Sequence, residues 1–339
     1  LSSEIKSISK FKFYKVIINK NIISETKSNI EIKIADRIGS LNHKFHRADT
    51  FLNYQRIINS NKLISIDSYI SNFYGKNTDY DHLKAKPWIV LYDYDPILRI
   101  PPEKLNEDPQ KSQYTFLRVS DIKTLIPTIK YLIDKGFIIF RLGKASKEFP
   151  FKSPSFIDLA HKQYLDNSLM YDFTIPLRAK FCITTGTGSH EISRLYGLPM
   201  FFISYHRFNF IYNLRRSMVI LKRPYNSKTN TLIPLSKVKK IMRYPYKIEW
   251  WNSLNIELRN PTSIEILESM KEFLKFYPNF YKNSPMKTFS KQQLTFLNKY
   301  HKNLPLYRNL YSSKFSPKEP ISVCVSNIEL KNYRDFYLS

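Results

Sequence analysis

Between residues 121 and 205 the apolar positions switch repeatedly between helical spacing and short unbroken runs. Ile122, Leu125, Ile129 and Leu132 recur at intervals of three and four, which predicts a helix capped by Ser120. Pro127 interrupts that helix or delays its start, and Gly136 closes it. Phe137–Phe140 is an apolar run of the kind a strand covered on both faces shows, with Arg141, Leu142 and Gly143 at its carboxyl end. Residues 158–164 read as helical. Lys180–Thr184 reads as a second strand, Thr185–Gly188 as a loop, and Ser189–Tyr196 as a short helix ended by Gly197 and Pro199. Met200–Ile203 is a third strand. This rhythm is that of an α/β protein with a Rossmann-type parallel sheet. The three runs are expected to be neighbouring parallel strands, with the Gly186 loop at their carboxyl edge.

Outside that stretch the pattern is weaker. Residues 30–35 alternate faintly and lead into Arg37–Leu41; residues 47–59 read as helical and 61–86 as unpatterned. Trp88–Tyr92 is a strand, and 99–113, with three prolines, a loop. Thr262-Ser-Ile-Glu265 is a capping box opening a helix whose apolar positions are Ile264, Leu267, Met270 and Leu274. Residues 278–320 mix Pro, Lys, Asn and aromatics without clear period. The organisation expected is a reduced amino-terminal α/β segment (1–86), a Rossmann-like domain (87–275) and a basic, aromatic-rich tail (276–339).

Composition narrows the classes. The 339 residues are 42% hydrophobic, which argues against global disorder. No apolar run approaches the ~18 residues of a membrane span. Two cysteines, Cys182 and Cys324, are too few for a disulfide scaffold or a cysteine zinc site. The chain opens on Leu1 without a leader pattern, which leaves a trimmed start or a missing upstream segment. The net charge of +26 is uneven: residues 206–339 hold 24 Lys/Arg against 8 Asp/Glu, net +16. That excess suits an anionic surface, or reflects compositional drift toward Lys, Asn, Ile, Tyr and Phe. No zinc finger, aromatic RNA-binding strand or Arg-rich arm supports a nucleic-acid partner.

Five of the seven glycines, Gly136, Gly143, Gly186, Gly188 and Gly197, fall within 62 residues. The Thr184–Ser189 loop is therefore the leading candidate for chemistry. Two glycines leave backbone N–H groups uncovered, the following helix adds free N–H groups, and Thr185, Thr187 and Ser189 add hydroxyls. Such a loop suits a diphosphate; a tight turn with no ligand is the alternative. Arg118 and Arg141 are the planar donors placed beside it, and surface ion pairs are their alternative. His190 is the imidazole next to the loop, to bind phosphate or act as a base. Asp95 and Asp93 are the other candidate bases. Asp121 and Glu191 read as first-turn helix acids.

The segment within 182–203, "ITTGTGSHEISRLYGLPMFF", resembles the donor loop, helix and strand of glycosyltransferases with two Rossmann-like domains, the GT-B fold. Its Thr-Gly…His…Leu-Gly-Leu-Pro pattern is similar to lipopolysaccharide heptosyltransferases. A closer resemblance is to a family of bacterial glycosyltransferases associated with surface polysaccharides. It rests on "LRVSDI" at 117–122, "FRLGK" at 140–144, "TGTGS" at 185–189, "LIPLSKV" at 232–238, "IELRNPTSIEIL" at 256–267 and "RIGSL" at 37–41. The resemblance implies a GT-B-like architecture and transfer of a sugar from a nucleotide-activated donor to a surface polysaccharide or lipopolysaccharide acceptor. It implies a diphosphate site of Arg118, Arg141, Gly143, Thr185, Gly186, Thr187, Gly188, Ser189 and His190, and no cofactor beyond the nucleotide sugar. The protein would be cytoplasmic, with a glycan or lipid-linked acceptor and peripheral contact with anionic lipid at the inner membrane.

The family's His-Val-Arg-Asp is replaced here by Tyr92-Asp93-Tyr94-Asp95, Ser40 replaces a His, and only 47 residues separate Gly39 from Pro87. These departures keep open a degenerate, non-catalytic nucleotide- or glycan-binding protein. Asp93-Tyr-Asp95 also resembles the Asp-x-Asp of the GT-A fold, which would hold Mn²⁺ or Mg²⁺. A basic nucleic-acid-binding protein is the weaker alternative.

Overall fold

Trp88–Tyr92 is strand β1 of a seven-stranded sheet in the computed structural model, and every one of its positions is buried. The structure describes residues 85–95, 117–161, 168–187, 189–206, 208, 216–241, 248–281, 289–303 and 323–338. Residues 1–84 of the expected amino-terminal segment (1–86) with its turn at 37–41, the loop 99–113 and Gly188 lie outside them.

After β1 the chain forms a 3-10 turn (Ile122–Leu125) that runs into helix α1 (Ile126–Asp134). The cap is Asp121, whose Oδ1 accepts from the Lys123 N–H at 3.0 Å, and not Ser120. Pro127 sits in the first turn of α1, where its missing N–H costs nothing. Gly136 closes α1 at φ +87°: its N–H donates to Ile133 O and that of Phe137 to Leu132 O, a Schellman arrangement that favours glycine.

β2 (Ile138–Leu142) pairs parallel with β1, and β3 (Phe156–Asp158) with β2. The start of the helix expected at 158–164 is thus strand. Asp158 ends β3 by accepting from the N–H groups of Phe149 and His161. The chain returns through α2 (Ser168–Arg178) to β4 (Ala179–Thr184), then α3 (His190–Leu195), β5 (Met200–Tyr205) and β6 (Ser217–Leu221). All three expected runs lie in one parallel sheet. β4 and β5 are neighbours, but β1 stands between β2 and β4.

A small antiparallel sheet follows, β7 (Arg223–Asn226) flanked by β8 (Thr231–Leu232) and β9 (Ile256–Arg259). Helices α4 (Leu235–Ile241) and α5 (Ile248–Ser253) intervene. Helix α6 (Ser263–Phe276) opens on the expected capping box between Thr262 and Glu265. Its apolar face is Ile266, Met270 and Phe273, whereas Ile264 is 71% exposed, so the expected stripe is displaced. A second, polar stripe of Glu265, Ser269 and Glu272 lies beside it on neighbouring turns.

That polar stripe holds the carboxyl-terminal segment. Ser269 Oγ pairs with Ser326 Oγ at 2.7 Å, and Glu272 accepts from the Asn327 backbone and side chain. Residues after 276 therefore do not all form a separate tail. Helix α7 (Lys291–Asn303) covers β10 (Val323–Val325), which pairs parallel with β6 as the sheet's seventh strand, and α8 (Asn327–Asn332) and α9 (Arg334–Leu338) follow. Phe181 and Phe201 meet Phe273 across the sheet–helix layer. Cys182 and Cys324 are free and buried, and burial pushes both thiols up.

Candidate functional site

The strand order β10-β6-β5-β4-β1-β2-β3 means that successive connections run outward in opposite directions from the β1/β4 pair. The carboxyl edge at such a switch point is where open α/β sheets place their ligands. The sequence places Asp93-Tyr-Asp95 after β1 and Thr185-Gly-Thr187 after β4, one on each side. They are stitched together: the Thr185 N–H donates to Tyr92 O at 3.1 Å, and the Tyr94 N–H to Thr185 Oγ1 at 2.9 Å. Thr184 Oγ1 accepts from the Gly186 N–H at 3.0 Å, so the N–H groups of Thr185 and Gly186, expected to be uncovered, are taken within the protein.

Gly186 has φ +87°, and a Cβ there would lie 3.6 Å from Cδ2 of Tyr205. A β-branched side chain in that backbone region is strained by about 1–3 kcal/mol. Gly186→Val is expected to lose that much stability in urea denaturation. Wild-type stability would mean that the loop adopts another backbone conformation. Tyr205 reaches the loop through a register shift between Phe202 and Tyr205, where buried Ser204 takes φ +53°. Such bulges re-aim side chains at sheet rims.

Arg118 lies where the sequence places it. Its Nη2 donates to Gly186 O at 2.6 Å, and its guanidinium stacks 4.1 Å from the Tyr94 ring centroid. Arg141 does not serve the same purpose. It is only 2% exposed, and Nε and Nη2 donate to the two oxygens of Asp93 at 2.8 Å each. Nη1 donates to Asp158 Oδ2 at 2.9 Å and Lys147 O at 3.0 Å. Burial works to lower its pKa, but Asp93 and Asp158 outweigh it and hold the guanidinium charged. Its donors are thus directed to two protein carboxylates and a carbonyl, not to a ligand.

The aspartates point apart. Asp93 is taken bidentately by Arg141, while Asp95 Oδ2 accepts from the Ser146 N–H and Oγ at 2.6 Å each. They do not present two open carboxylates to one cation. Among the described residues no group of three or more His, Cys, Asp or Glu is placed to hold a metal.

His190 and Thr187 line the other side of the β4 loop. His190 is 7% exposed, with its Nε2 3.3 Å from Glu191 Oε1 and its ring edge-on to Phe202. Its Nδ1 and Thr187 Oγ1 are buried without a hydrogen-bond partner among the described residues. A bound polar group would satisfy both. Ser189 precedes α3 without a side-chain cap bond, and α3 is only six residues long, so its dipole adds little. Gly143 closes on the same place: a Cβ there would lie 3.8 Å from Ser189 Oγ, and its N–H donates to Asp172. Asp121 and Glu191 have structural partners, Lys123 and Arg194.

Sequence reasoning missed Lys222. It follows the apolar run of β6, and that position, a cation directly at a strand's carboxyl end, was the available signal. Its Nζ donates to Val119 O at 2.6 Å and it is 3% exposed.

The parallel sheet, its crossover helices and the switch point at β1/β4 define a Rossmann-like α/β domain. Comparisons with family models, curated proteins and solved structures find no match. Among the described residues no helix is long and apolar enough to cross a membrane.

Proposed function

We propose that this chain is a GT-B-type glycosyltransferase whose Gly186 loop holds the diphosphate of a nucleotide-sugar donor, for transfer to a surface polysaccharide or lipopolysaccharide acceptor. The observation that carries the reading is the Thr185–Thr187 loop at the β1/β4 switch point, with Arg118 against it and two polar atoms left for a ligand. The family-like motifs supply the chemistry of the donor. In this reading Arg118, Thr187 and His190 stabilise charge on the leaving diphosphate. The basic residues after 206 favour docking on anionic lipid at the cytoplasmic face, with roughly 1 kcal/mol for each Lys or Arg near the surface.

A second reading is supported by Asp93. Asp93, one of the three residues expected as a base beside Asp95 and His190, is buried with an Arg141 N–H on each of its oxygens, so an acceptor hydroxyl would have to compete with that ion pair. This favours a nucleotide- or glycan-binding protein without transfer. One experiment separates the readings: calorimetry with ADP, UDP and GDP, followed by assay of nucleotide release from the matching nucleotide sugars. Micromolar binding with release supports the transferase, and binding without release supports the second reading. No binding of any nucleoside diphosphate would remove the loop from a donor site.

A further inference from the structure

A closed ring of contacts runs around the carboxyl edge. Gly186 faces the Tyr205 ring, which a Cβ on it would meet at 3.6 Å; the Tyr205 carbonyl accepts the Lys222 N–H at 3.0 Å; Lys222 Nζ donates to Val119 O; and Arg118, the residue before Val119, donates to Gly186 O. The segment carrying Arg118 and Val119 is thus tied at one end to the β4 loop and at the other to the end of β6. Both ties are cations.

Lys222 is the unusual member. An ammonium has three N–H donors, and among the described residues its one hydrogen-bond acceptor is the Val119 carbonyl. A buried cation without a counter-charge is costly, and the cost falls when an anion joins it. The charged side chains next to it along the chain and on the tied segment are also cations. Arg118 lies on the tied segment, and Arg223 is committed to Glu265 through two hydrogen bonds. Burial pushes the Lys222 ammonium down to about 8, the direction expected where nothing negative offsets desolvation.

We propose that Lys222 is an anion-binding residue of the carboxyl-edge site, contacting a phosphate oxygen of the ligand held by the Gly186 loop. This rests on the diphosphate reading of that loop. It makes the site two-sided, with a planar guanidinium at the β4 end and a point charge at the β6 end.

The test compares wild-type protein, Lys222→Gln and Lys222→Arg by calorimetry with ADP, UDP, GDP and inorganic pyrophosphate. Gln keeps an N–H for Val119 O but carries no charge, so it separates a tie for the segment from a partner for the ligand. Lys222→Gln is expected to bind at least about tenfold more weakly and Lys222→Arg within about threefold of wild type. Wild-type affinity in Lys222→Gln overturns the inference while leaving the donor-site reading intact. Pyrophosphate binding that depends on Lys222, with no binding of any nucleotide, keeps the inference and overturns the donor reading. Wild-type protein that binds neither overturns both. Should Lys222→Gln fail to fold, acylation of Lys222 in wild-type protein with and without pyrophosphate decides. Slower labelling in its presence supports the contact, and an unchanged rate overturns it.

Discussion

Replacing Arg141 with Met is expected to destabilise the protein by roughly 3–5 kcal/mol, because it leaves two carboxylates in the interior without their shared cation. Asp93 would lose both of its partners on Arg141, and Asp158 would keep only backbone N–H groups from Phe149 and His161. The guanidinium also lies 5.3 Å from the Phe149 ring centroid, so packing is lost with the charge. Domains are stable by about 5–15 kcal/mol, so the variant would be close to unfolded under mild denaturant. Lys at 141 is expected to recover little, since one ammonium cannot reproduce a planar fork on Asp93 together with the bond to Asp158. Arg118→Met provides the contrast. It removes a partly buried contact to one carbonyl, and should cost about 1 kcal/mol while weakening ligand binding. Urea denaturation of the three variants is the measurement. An Arg141→Met midpoint close to wild type would return Arg141 to the ligand site.

Stability should fall by about 3 kcal/mol as pH rises from 5 to 8, and Glu329→Gln should remove that loss. Glu329 is fully buried on α8, with Oε2 accepting from Tyr337 Oη at 3.0 Å. Its Oε1 has no hydrogen-bond partner among the described residues. Facing it are Tyr337, Arg223 and Glu265. The Arg223 guanidinium is stacked on Tyr333 and bound at 2.7 and 2.6 Å to Glu265. Burial raises the Glu329 carboxyl, Arg223 pulls it down and Glu265 raises it again, leaving it at about 7 against an ordinary 4.5. The folded protein therefore holds a proton that the unfolded chain releases near 4.5. The contribution is full below 4.5 and is lost as pH climbs through about 7. Each pH unit between those two values is worth about 1.4 kcal/mol.

Glu265 acts in the opposite sense. Burial works to raise it, but hydrogen bonds from Arg223, Tyr333 and Thr262 outweigh burial and hold it at about 2. Its contribution is present above 4.5 and is lost as pH falls toward 2. Maximum stability is thus expected near pH 5. Urea unfolding at pH 3, 4, 5, 6, 7 and 8 checks this. A Glu329→Gln profile parallel to wild type would show that Glu329 is ionised throughout.

These two clusters also show where sequence reading stops. Local rules found β1, β2, β4, β5, α1 and α3 because each is decided within a few residues. Unbroken apolar runs make covered strands, Gly136 and Gly197 end helices, and Thr262 with Glu265 starts one. The candidate loop was legible for the same reason, since two glycines and three hydroxyl residues stand together in a glycine-poor chain. The Asp121 cap differs from the expected one by a single residue, because Ser and Asp are both good caps and the two stand side by side.

What the sequence determined by itself was the α/β class, the parallel rhythm and the position of the Gly186 loop. Only the tertiary structure decided how each charge is used, because that depends on partners far apart in the chain. Arg141 and Asp93 stand 48 residues apart and meet only because β1 and β2 are adjacent. Lys222 and Val119 are separated by 103 residues, and Glu265 and Tyr333 by 68. The carboxyl-terminal segment showed no period of its own, since β10 is three residues long and Gln293, on α7, donates to its last carbonyl, Val325 O. A short strand joins a sheet when an edge is open beside it and a polar helix face is ready to receive its flank. Here the edge of β6 and the Glu265–Ser269–Glu272 stripe of α6 supplied both.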